Sequence, residues 1–280
     1  MPEKPTTAEG YAPEYVTLVR ATCLYVATKL GDLTDDLVVV GGLVPSLIVD
    51  QENLADGVEA HVGTMDLDVA LLDQGRYREL SERLRRSGFT QDENEQGNVT
   101  RQRWKIDGVE KVTLDFLIQP TLPSDRGGSL RDIEPDFAAI IAPGLHLAFE
   151  DRRRISLSGR TIMGEEAARE IWVCGPAAYI VLKALAFSLR GENKDAYDLF
   201  YVVRNFGTGV EEIADLLRPI LEDPDTKKAI SVLRQDFTNH NGLGPRRVAE
   251  FLTGGQDGSV QADVVGYIDS LLRAVDRESS

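Results

Sequence analysis

The hydrophobic period of the chain changes once, near residues 164–175, and this change constrains the fold more than any other feature. Before it, short apolar runs of strand type are mixed with helix-like stretches at 13–30 and 75–87,. After it, apolar residues recur at helical spacing almost to the end,. We therefore expect an α+β fold, in which a mixed sheet with flanking helices is followed by a C-terminal helical bundle.

The same periodicity predicts the individual elements. In the first region, strands are expected at 36–40, 64–72, 88–93, 99–106 and 109–119, a hairpin turn at 106–109, loops at 51–62 and 120–135, and short strand-like runs across 136–174,. In the second, helices should break at Gly191, Gly207, Pro224 and Gly242 to Gly244,. We therefore expect two domains, residues 1–170 with an N-terminal helix and residues 171–280.

The composition narrows the class of protein. Of the 280 residues, 42% are hydrophobic and 28% charged, as in ordinary globular domains, and the net charge is −15,. This charge argues against broad, non-specific binding to nucleic acid, although a local basic stripe could still contact RNA. Two cysteines and three histidines form no zinc or disulfide pattern,. We find no signal-peptide pattern and no apolar run near the ~18 residues of a membrane span, and we expect a cytoplasmic monomer without a membrane partner.

Two aspartates lie two residues apart in a stretch that otherwise has the pattern of an apolar strand, Thr64 to Leu72. Because side chains alternate along a strand, Asp66 and Asp68 should share one face, with Cα atoms roughly 6.5 Å apart. Two carboxylates about 5 Å apart repel each other by about 3 kcal/mol at an effective dielectric constant near 20. Solvent around a half-exposed edge strand would offset this repulsion, and so would a divalent cation, for which paired carboxylates are common ligands.

A third carboxylate, Asp115, lies on the polar side of the strand predicted at 109–119. Alone, it could be a solvated strand position. If its strand lies near that of Asp66 and Asp68 in one sheet, three carboxylates converge on one surface. Such a set can hold one or two Mg²⁺ ions, and Asp115 could then serve both as a metal ligand and as a general base.

Gly41 and Gly42 follow a buried strand and open a short helix that contains Ser46. Residues without a Cβ let backbone N–H groups approach a phosphate near a helix start, so these three residues are candidates for nucleotide binding. An ordinary tight turn would use the same glycines. The strand with Asp66 and Asp68 that follows favours the phosphate interpretation.

Basic and acidic residues mark two successive helices of the second region. The first helix carries Lys183 and Arg190, which lie seven residues apart and therefore share a face,. The second carries Lys194, Asp195 and Asp198, of which the two aspartates share a face,. This pattern could be a solvated helix surface. Alternatively, Lys183 binds nucleotide phosphates and Asp198 orients it, while Arg190 and Lys194 add positive potential.

Taken in order, these motifs resemble the polymerase-β-like nucleotidyltransferase superfamily, with Gly-Gly after a strand, then Thr64-x-Asp66-x-Asp68, then Asp115 on a later strand. The Lys183 segment and the Arg190-Gly191-x-x-Lys194-Asp195-x-x-Asp198 spacing resemble the AbiEii/MenT-type nucleotidyltransferases more narrowly. Members of that family are the toxins of toxin–antitoxin and phage-defence pairs. The resemblance covers roughly residues 36–204.

Two features depart from the family pattern. About two dozen residues separate Gly42 from Asp66, which indicates an insertion at 51–62. Leu43 follows the glycine pair, where family members usually have Ser or Thr. The second departure weakens the phosphate-binding role of the turn.

The resemblance implies a polymerase-β-like sheet, an NTP donor, Mg²⁺ and transfer of a nucleotide, in some members to tRNA. It also implies a cognate antitoxin, and some antitoxins phosphorylate the toxin. The helical domain is expected to complete the active site. The implied catalytic residues are Asp66, Asp68, Asp115, Lys183 and Asp198, and the first three are the metal ligands. The implied nucleotide-binding residues are Gly41, Gly42, Ser46, Thr64, Lys183, Arg190, Lys194 and Asp195.

Three functions remain open at this stage. The first is nucleotide transfer to RNA, plausible at a tRNA 3′ end, for which basic side chains occur in three groups: Arg83, Arg85 and Arg86; Arg101, Arg103 and Lys105; and Arg152, Arg153 and Arg154. The second is transfer to a small molecule or a protein side chain, which the acidic net charge fits better. The third is a catalytically inactive binding module, against which the intact carboxylates and Lys183 argue.

Overall fold

The computed structural model describes residues 4–71, 75–94, 96–106 and 112–277. Its strands are β1 (Leu37–Val40), β2 (Asp66–Leu71), β3 (Phe89–Glu93), β4 (Val99–Ile106), β5 (Thr113–Ile118), β6 (Leu130–Glu134), β7 (Phe137–Ile141), β8 (Arg152–Arg160) and β9 (Glu166–Cys174). Its helices are α1 (Pro13–Leu30), α2 (Pro45–Ile48), α3 (Tyr77–Arg86), α4 (Leu147–Glu150), α5 (Pro176–Arg190), α6 (Asn193–Asn205), α7 (Val210–Leu217), α8 (Pro224–Asp236), α9 (Leu243–Thr253) and α10 (Gly258–Asp276). The predicted α+β class is confirmed. The turn predicted at 106–109 lies, except for Ile106, outside the described residues.

The chain divides into two compact units. The first contains residues 13–44 and 63–174, and therefore the described strands together with α1, α3 and α4. The second contains residues 4–12, 45–62 and the chain from Gly175 onward, and therefore α2 and α5 to α10. Segment 45–62 thus groups with the helices, whereas the sequence analysis assigned it to the first domain.

The sheet of the first unit has the strand order β3-β4-β5-β2-β1-β9-β8, with β7 beside β5 and β6 beside β7. It is mixed, since β2 pairs with β5 in parallel and with β1 in antiparallel orientation. Strand β2 is therefore internal. Leu67 on one of its faces is fully buried, as is Leu114 on β5. The half-exposed edge strand that could have explained Asp66 and Asp68 is thereby excluded.

Strand β6 corrects the predicted loop at 120–135. Residues 130–134 are extended and pair in antiparallel orientation with β7, from Leu130 opposite Ile140 to Glu134 opposite Phe137. The Pro, Gly, Ser and Asp residues around this stretch are typical of loops. The strand forms because β7 supplies its hydrogen bonds, which local composition does not predict. Similarly, the short runs expected across 136–174 include two nine-residue strands, β8 and β9, which pair along their whole length.

The helices of the second unit begin and end mostly where the sequence indicates. Helix α5 starts with Pro176, and it ends at Gly191, whose φ of 64° is left-handed and favours glycine,. One break was missed: Gly254 ends α9, and Asp257 caps α10 by accepting from the N–H groups of Ser259 and Val260,. In the part of the chain that the structure describes, no helix is both long and apolar enough to span a membrane.

Replacing Leu67 with Ala should lower the free energy of unfolding by about 2–5 kcal/mol, because the residue is fully buried in an internal strand and truncation leaves a cavity,. Leu130→Ala on the exposed part of β6 is the control and should cost much less, about 0.5 kcal/mol,. Denaturant unfolding measures both. Equal losses would contradict the central position of β2.

Candidate active site

The parallel register of β2 and β5 brings the predicted carboxylates together. Asp68 lies directly opposite Asp115, and Asp66 lies opposite Thr113. Asp66 and Asp115 are buried, and Asp68 is partly exposed. The Thr113 hydroxyl donates a hydrogen bond of 2.7 Å to Asp66 Oδ1. The first unit therefore contains three carboxylates at neighbouring positions of two adjacent strands, which we call the carboxylate cluster (Asp66, Asp68 and Asp115).

The glycine pair packs closely against the strand that carries two of these aspartates. Gly41 has a φ of 71°, and a Cβ there would lie 2.0 Å from Asp68 Oδ2. A Cβ on Gly42 would lie 2.8 Å from the Thr64 side chain. The glycines thus make room for Asp68 and Thr64, a steric reason for Gly-Gly that does not require a phosphate. Ser46 is buried in α2, in the segment that groups with the second unit.

Arg103 on β4 forms a bidentate ion pair with Asp115. It lies opposite Asp115 in the antiparallel β4–β5 pair. Its Nε is 2.8 Å from Asp115 Oδ1, and its Nη2 is 2.5 Å from Oδ2. The hydrogen bonds to Asp115, and the negative charges of Asp115, Asp66 and Asp68, raise the pKa of Arg103 despite its burial. Arg103 therefore contacts the carboxylate cluster through Asp115, whereas its position on the strand predicts a residue that could contact RNA.

The carboxylate cluster fits a divalent cation by the chemistry of its donors. Carboxylate oxygens are the hard ligands that Mg²⁺ prefers, and a small number of them suffices because Mg²⁺ keeps several waters and substrate oxygens. Asp66, Asp68 and Asp115 are the residues that would hold it. The ion pair with Arg103 means that Asp115 has to share its oxygens with the arginine when a metal binds.

A second cluster of charges lies within the second unit, where α5 and α6 pack together. Lys183 Nζ is 2.9 Å from Asp195 Oδ1 and 2.7 Å from Asp198 Oδ2. Arg190 Nε donates to Asp195 Oδ2 at 2.6 Å, and Lys194 pairs with Asp198 one turn along the same helix. We call these five residues the lysine cluster. The solvated helix surface considered above is excluded for Lys183, Asp195 and Asp198, which are buried.

Lys183 and Asp198 of the lysine cluster stay ionised although they are buried. Burial alone would lower the pKa of Lys183, but the charges of Asp195 and Asp198 raise it above its ordinary value. Burial would raise the pKa of Asp198, but Lys183 and Lys194 hold it well below its ordinary range. Two carboxylates and three basic side chains give the cluster an excess of positive charge when all are ionised. Such an excess suits an anionic ligand, and phosphate is one.

His61 joins the lysine cluster and was missed by the sequence analysis. Its Nε2 is 2.8 Å from Asp198 Oδ1, and both side chains are fully buried. Its ring stacks on Tyr197 at 5.2 Å between centroids and meets Tyr201 edge-on at 4.9 Å. Burial and the positive charge of Lys194 lower the pKa of His61 to about 4, against the hydrogen bond to Asp198. His61 is therefore neutral at pH 7 and donates from Nε2 to Asp198.

The segment predicted as an insertion, residues 51–62, is tied to α6 by polar contacts. Gln51 Oε1 accepts hydrogen bonds from the His61 backbone N–H at 2.9 Å and from the Tyr201 hydroxyl at 3.0 Å. The Val62 N–H donates to the Tyr197 hydroxyl at 3.4 Å. Because an irregular segment has no hydrophobic period, its sequence does not predict these contacts. A lone histidine just before the Thr64-x-Asp66 motif was the one available signal.

Replacing Gly41 with Ala should destabilise the protein and displace the Asp68 carboxylate, because the new Cβ would overlap Asp68 Oδ2. The matched control is Gly57→Ala, since Gly57 has a similar φ of 78° but no atom within 4 Å of an added Cβ. Both variants lose the left-handed glycine, at about 1–2 kcal/mol. Gly41→Ala should lose about 1–3 kcal/mol more in denaturant unfolding. The same loss in both variants would contradict the close approach.

His61 should make the stability of the protein depend on pH. Its pKa is about 4 in the folded chain and ordinarily 6.5, so the unfolded chain takes up the proton first as the pH falls,. The stabilisation is therefore complete above pH 6.5 and is lost as the pH falls toward 4. Between pH 7 and 5, wild type should lose about 2 kcal/mol more than His61→Gln. His240→Gln, at an exposed histidine, should behave like wild type; a wild-type slope in His61→Gln would refute the assignment.

Comparison with known proteins identifies the family of the chain. A family model described as "Nucleotidyl transferase AbiEii toxin, Type IV TA system" matches residues 26–276. A search of curated proteins finds no match to the chain. The matched region includes the carboxylate cluster, the lysine cluster and His61. The chain therefore belongs to the AbiEii nucleotidyl transferase toxin family of type IV toxin–antitoxin systems.

Proposed function

We propose that the protein is a Mg²⁺-dependent nucleotidyltransferase that moves a nucleotide from an NTP to an acceptor hydroxyl and releases pyrophosphate, with the 3′ end of tRNA as our favoured acceptor. Membership of the AbiEii family supports the reaction class. The observation that carries the proposal is the register of β2 and β5, in which Asp68 lies opposite Asp115 with Asp66 beside them. Three carboxylates placed in this way repel each other, and together they offer the hard oxygen ligands of a divalent cation.

The carboxylate cluster would hold one or two Mg²⁺ ions. Bound Mg²⁺ supplies a positive charge for the triphosphate and lowers the pKa of an acceptor hydroxyl. Asp66 and Asp68 would bind the metal, and Thr113 orients Asp66 by its hydrogen bond. Asp115 would accept the proton of the acceptor hydroxyl at a carboxylate oxygen. Thr64 lies two residues before β2, and its hydroxyl accepts a hydrogen bond from the Asp66 N–H at 3.4 Å.

The lysine cluster would bind the triphosphate. Lys183 is the central residue because it is buried and yet remains charged. Asp195 and Asp198 orient its ammonium group, and Arg190 and Lys194 add positive charge nearby. Gly41, Gly42 and Ser46 stay proposed nucleotide-binding residues on the resemblance alone.

The acceptor has a second candidate, a small molecule or a protein side chain. Arginines that could have served an RNA surface are paired with carboxylates of the same unit, which reduces the positive charge they offer to phosphates. These pairs are Arg83 with Asp32 and Glu79, Arg85 with Asp136, Arg86 with Glu82, Arg101 with Asp132, and Arg154 with Glu170. Together with the net charge of −15, this pairing is the reason to keep a small molecule or a protein side chain as the second candidate acceptor.

The proposal includes a toxin role with a cognate antitoxin, since the family is that of type IV toxin–antitoxin systems. We place the reaction in the cytoplasm, where NTPs and tRNA occur together, and we propose a monomer as the active form. An antitoxin gene beside the toxin gene would support this role.

Incubation with total RNA, Mg²⁺ and each labelled NTP tests the reaction. Wild type should transfer label, and Asp66→Asn and Lys183→Ala should each reduce transfer by about a hundredfold or more, because the first removes a proposed metal ligand and the second a positive charge proposed to bind the triphosphate. Asp132→Asn, an exposed aspartate of the same unit, should retain activity.

The fraction that carries the label then identifies the acceptor. Label in tRNA supports the favoured acceptor, and label in the protein or metabolite fraction with unlabelled RNA supports the alternative. If Asp66→Asn inhibits growth as wild type does and neither protein transfers nucleotide, the protein acts as a binding module and the catalytic proposal is wrong.

A further inference from the structure

Arg103 contacts both carboxylate oxygens of Asp115. Its Nε and Nη2 each donate to a carboxylate oxygen, at distances of 2.8 Å and 2.5 Å. The side chain of Arg103 is 15% exposed and that of Asp115 is 4% exposed, so solvent screens the pair only weakly,. Two-pronged contacts of this kind fix the orientation of a carboxylate as well as its charge.

The negative charges of the carboxylate cluster favour an arginine at position 103. The carboxylate cluster brings three potential negative charges to two adjacent strands. Arg103 reaches it from β4, on the other side of β5 from β2. Its interactions with Asp66 and Asp68, in addition to those with Asp115, stabilise its own charge. An arginine in this place supplies a positive charge that a divalent cation would also supply.

The neighbouring arginine of the same strand behaves differently. Arg101 pairs with Asp132 at 2.8 Å, and its side chain is 45% exposed. Both residues were candidates for RNA contact, but only Arg103 contacts the carboxylate cluster among the described basic residues of β4. The two arginines therefore offer a matched pair for experiment, with the same charge on one strand and different surroundings.

We propose that Arg103 is a built-in counter-cation that competes with the divalent metal for the carboxylate cluster. In the metal-free protein it offsets the repulsion and orients Asp115. When a metal takes all three carboxylates, Arg103 gives up at least one of its two contacts with Asp115. The affinity of the site for the metal is therefore set partly by this arginine. The inference rests on the proposed metal site.

Binding of Mn²⁺ alone to the full chain tests the proposal, by isothermal titration calorimetry and by thermal unfolding with and without EDTA. Arg103→Gln should bind Mn²⁺ about tenfold more tightly than wild type, because the competing charge is gone. It should also unfold at a lower temperature than wild type in EDTA and gain more from Mn²⁺. Arg101→Gln should match wild type in Mn²⁺ affinity. Arg103→Lys keeps the charge but loses the planar fork, and should fall between.

The outcomes separate this inference from the proposed function. If wild type binds Mn²⁺ and Arg103→Gln binds it no more tightly than Arg101→Gln, competition is wrong and the metal site stands. If no variant binds Mn²⁺, the metal site and the competition both fail. If Arg103→Gln folds only when Mn²⁺ is present, competition is supported. If it folds in neither condition, Arg103→Lys decides: tighter binding than wild type supports the proposal, and equal binding overturns it.

Discussion

Electrostatic repulsion among three carboxylates is the constraint on which the first unit depends. The parallel register of β2 and β5 places Asp68 opposite Asp115, in a sheet whose interior offers little water to screen them. Neighbouring groups accommodate this arrangement: Gly41 leaves room for one carboxylate, Thr113 donates to another, and Arg103 pairs with the third. A sheet without a functional need for these charges would be more stable with apolar residues there, because buried ionic groups cost desolvation energy.

The second unit keeps the side chain of a lysine charged although that side chain is buried. Lys183 remains protonated because Asp195 and Asp198 offset the cost of its burial. Asp198 in turn lies between Lys183, Lys194 and the neutral ring of His61. The irregular segment before β2 carries this histidine and so contributes a hydrogen bond to Asp198 Oδ1.

The hydrophobic periodicity of the sequence predicts most of the helices and strands, and it predicts which candidate site residues share a face. Alternation along a strand put Asp66 and Asp68 on one face, but it could not supply the partner strand or its register, which depend on long-range pairing. For the same reason the sequence predicts Arg103 only as a candidate for RNA contact. The alternation of side chains along β4 indicates which face of the strand Arg103 occupies, but it does not indicate that Asp115 lies opposite it on β5. His61 lay in a segment without any period. The residues around β6 have a composition typical of loops, and the segment is extended because it pairs with β7.

Anomalous diffraction from crystals of the full chain soaked in Mn²⁺ would show whether the carboxylate cluster is a metal centre. We expect an anomalous peak within roughly 2.5 Å of carboxylate oxygens of Asp66 and Asp68, with Asp115 as a further ligand. We also expect the contact between Arg103 and Asp115 to be longer than in the metal-free protein. If no peak lies at these aspartates, at a Mn²⁺ concentration that saturates binding in solution, the carboxylate cluster is not a metal centre.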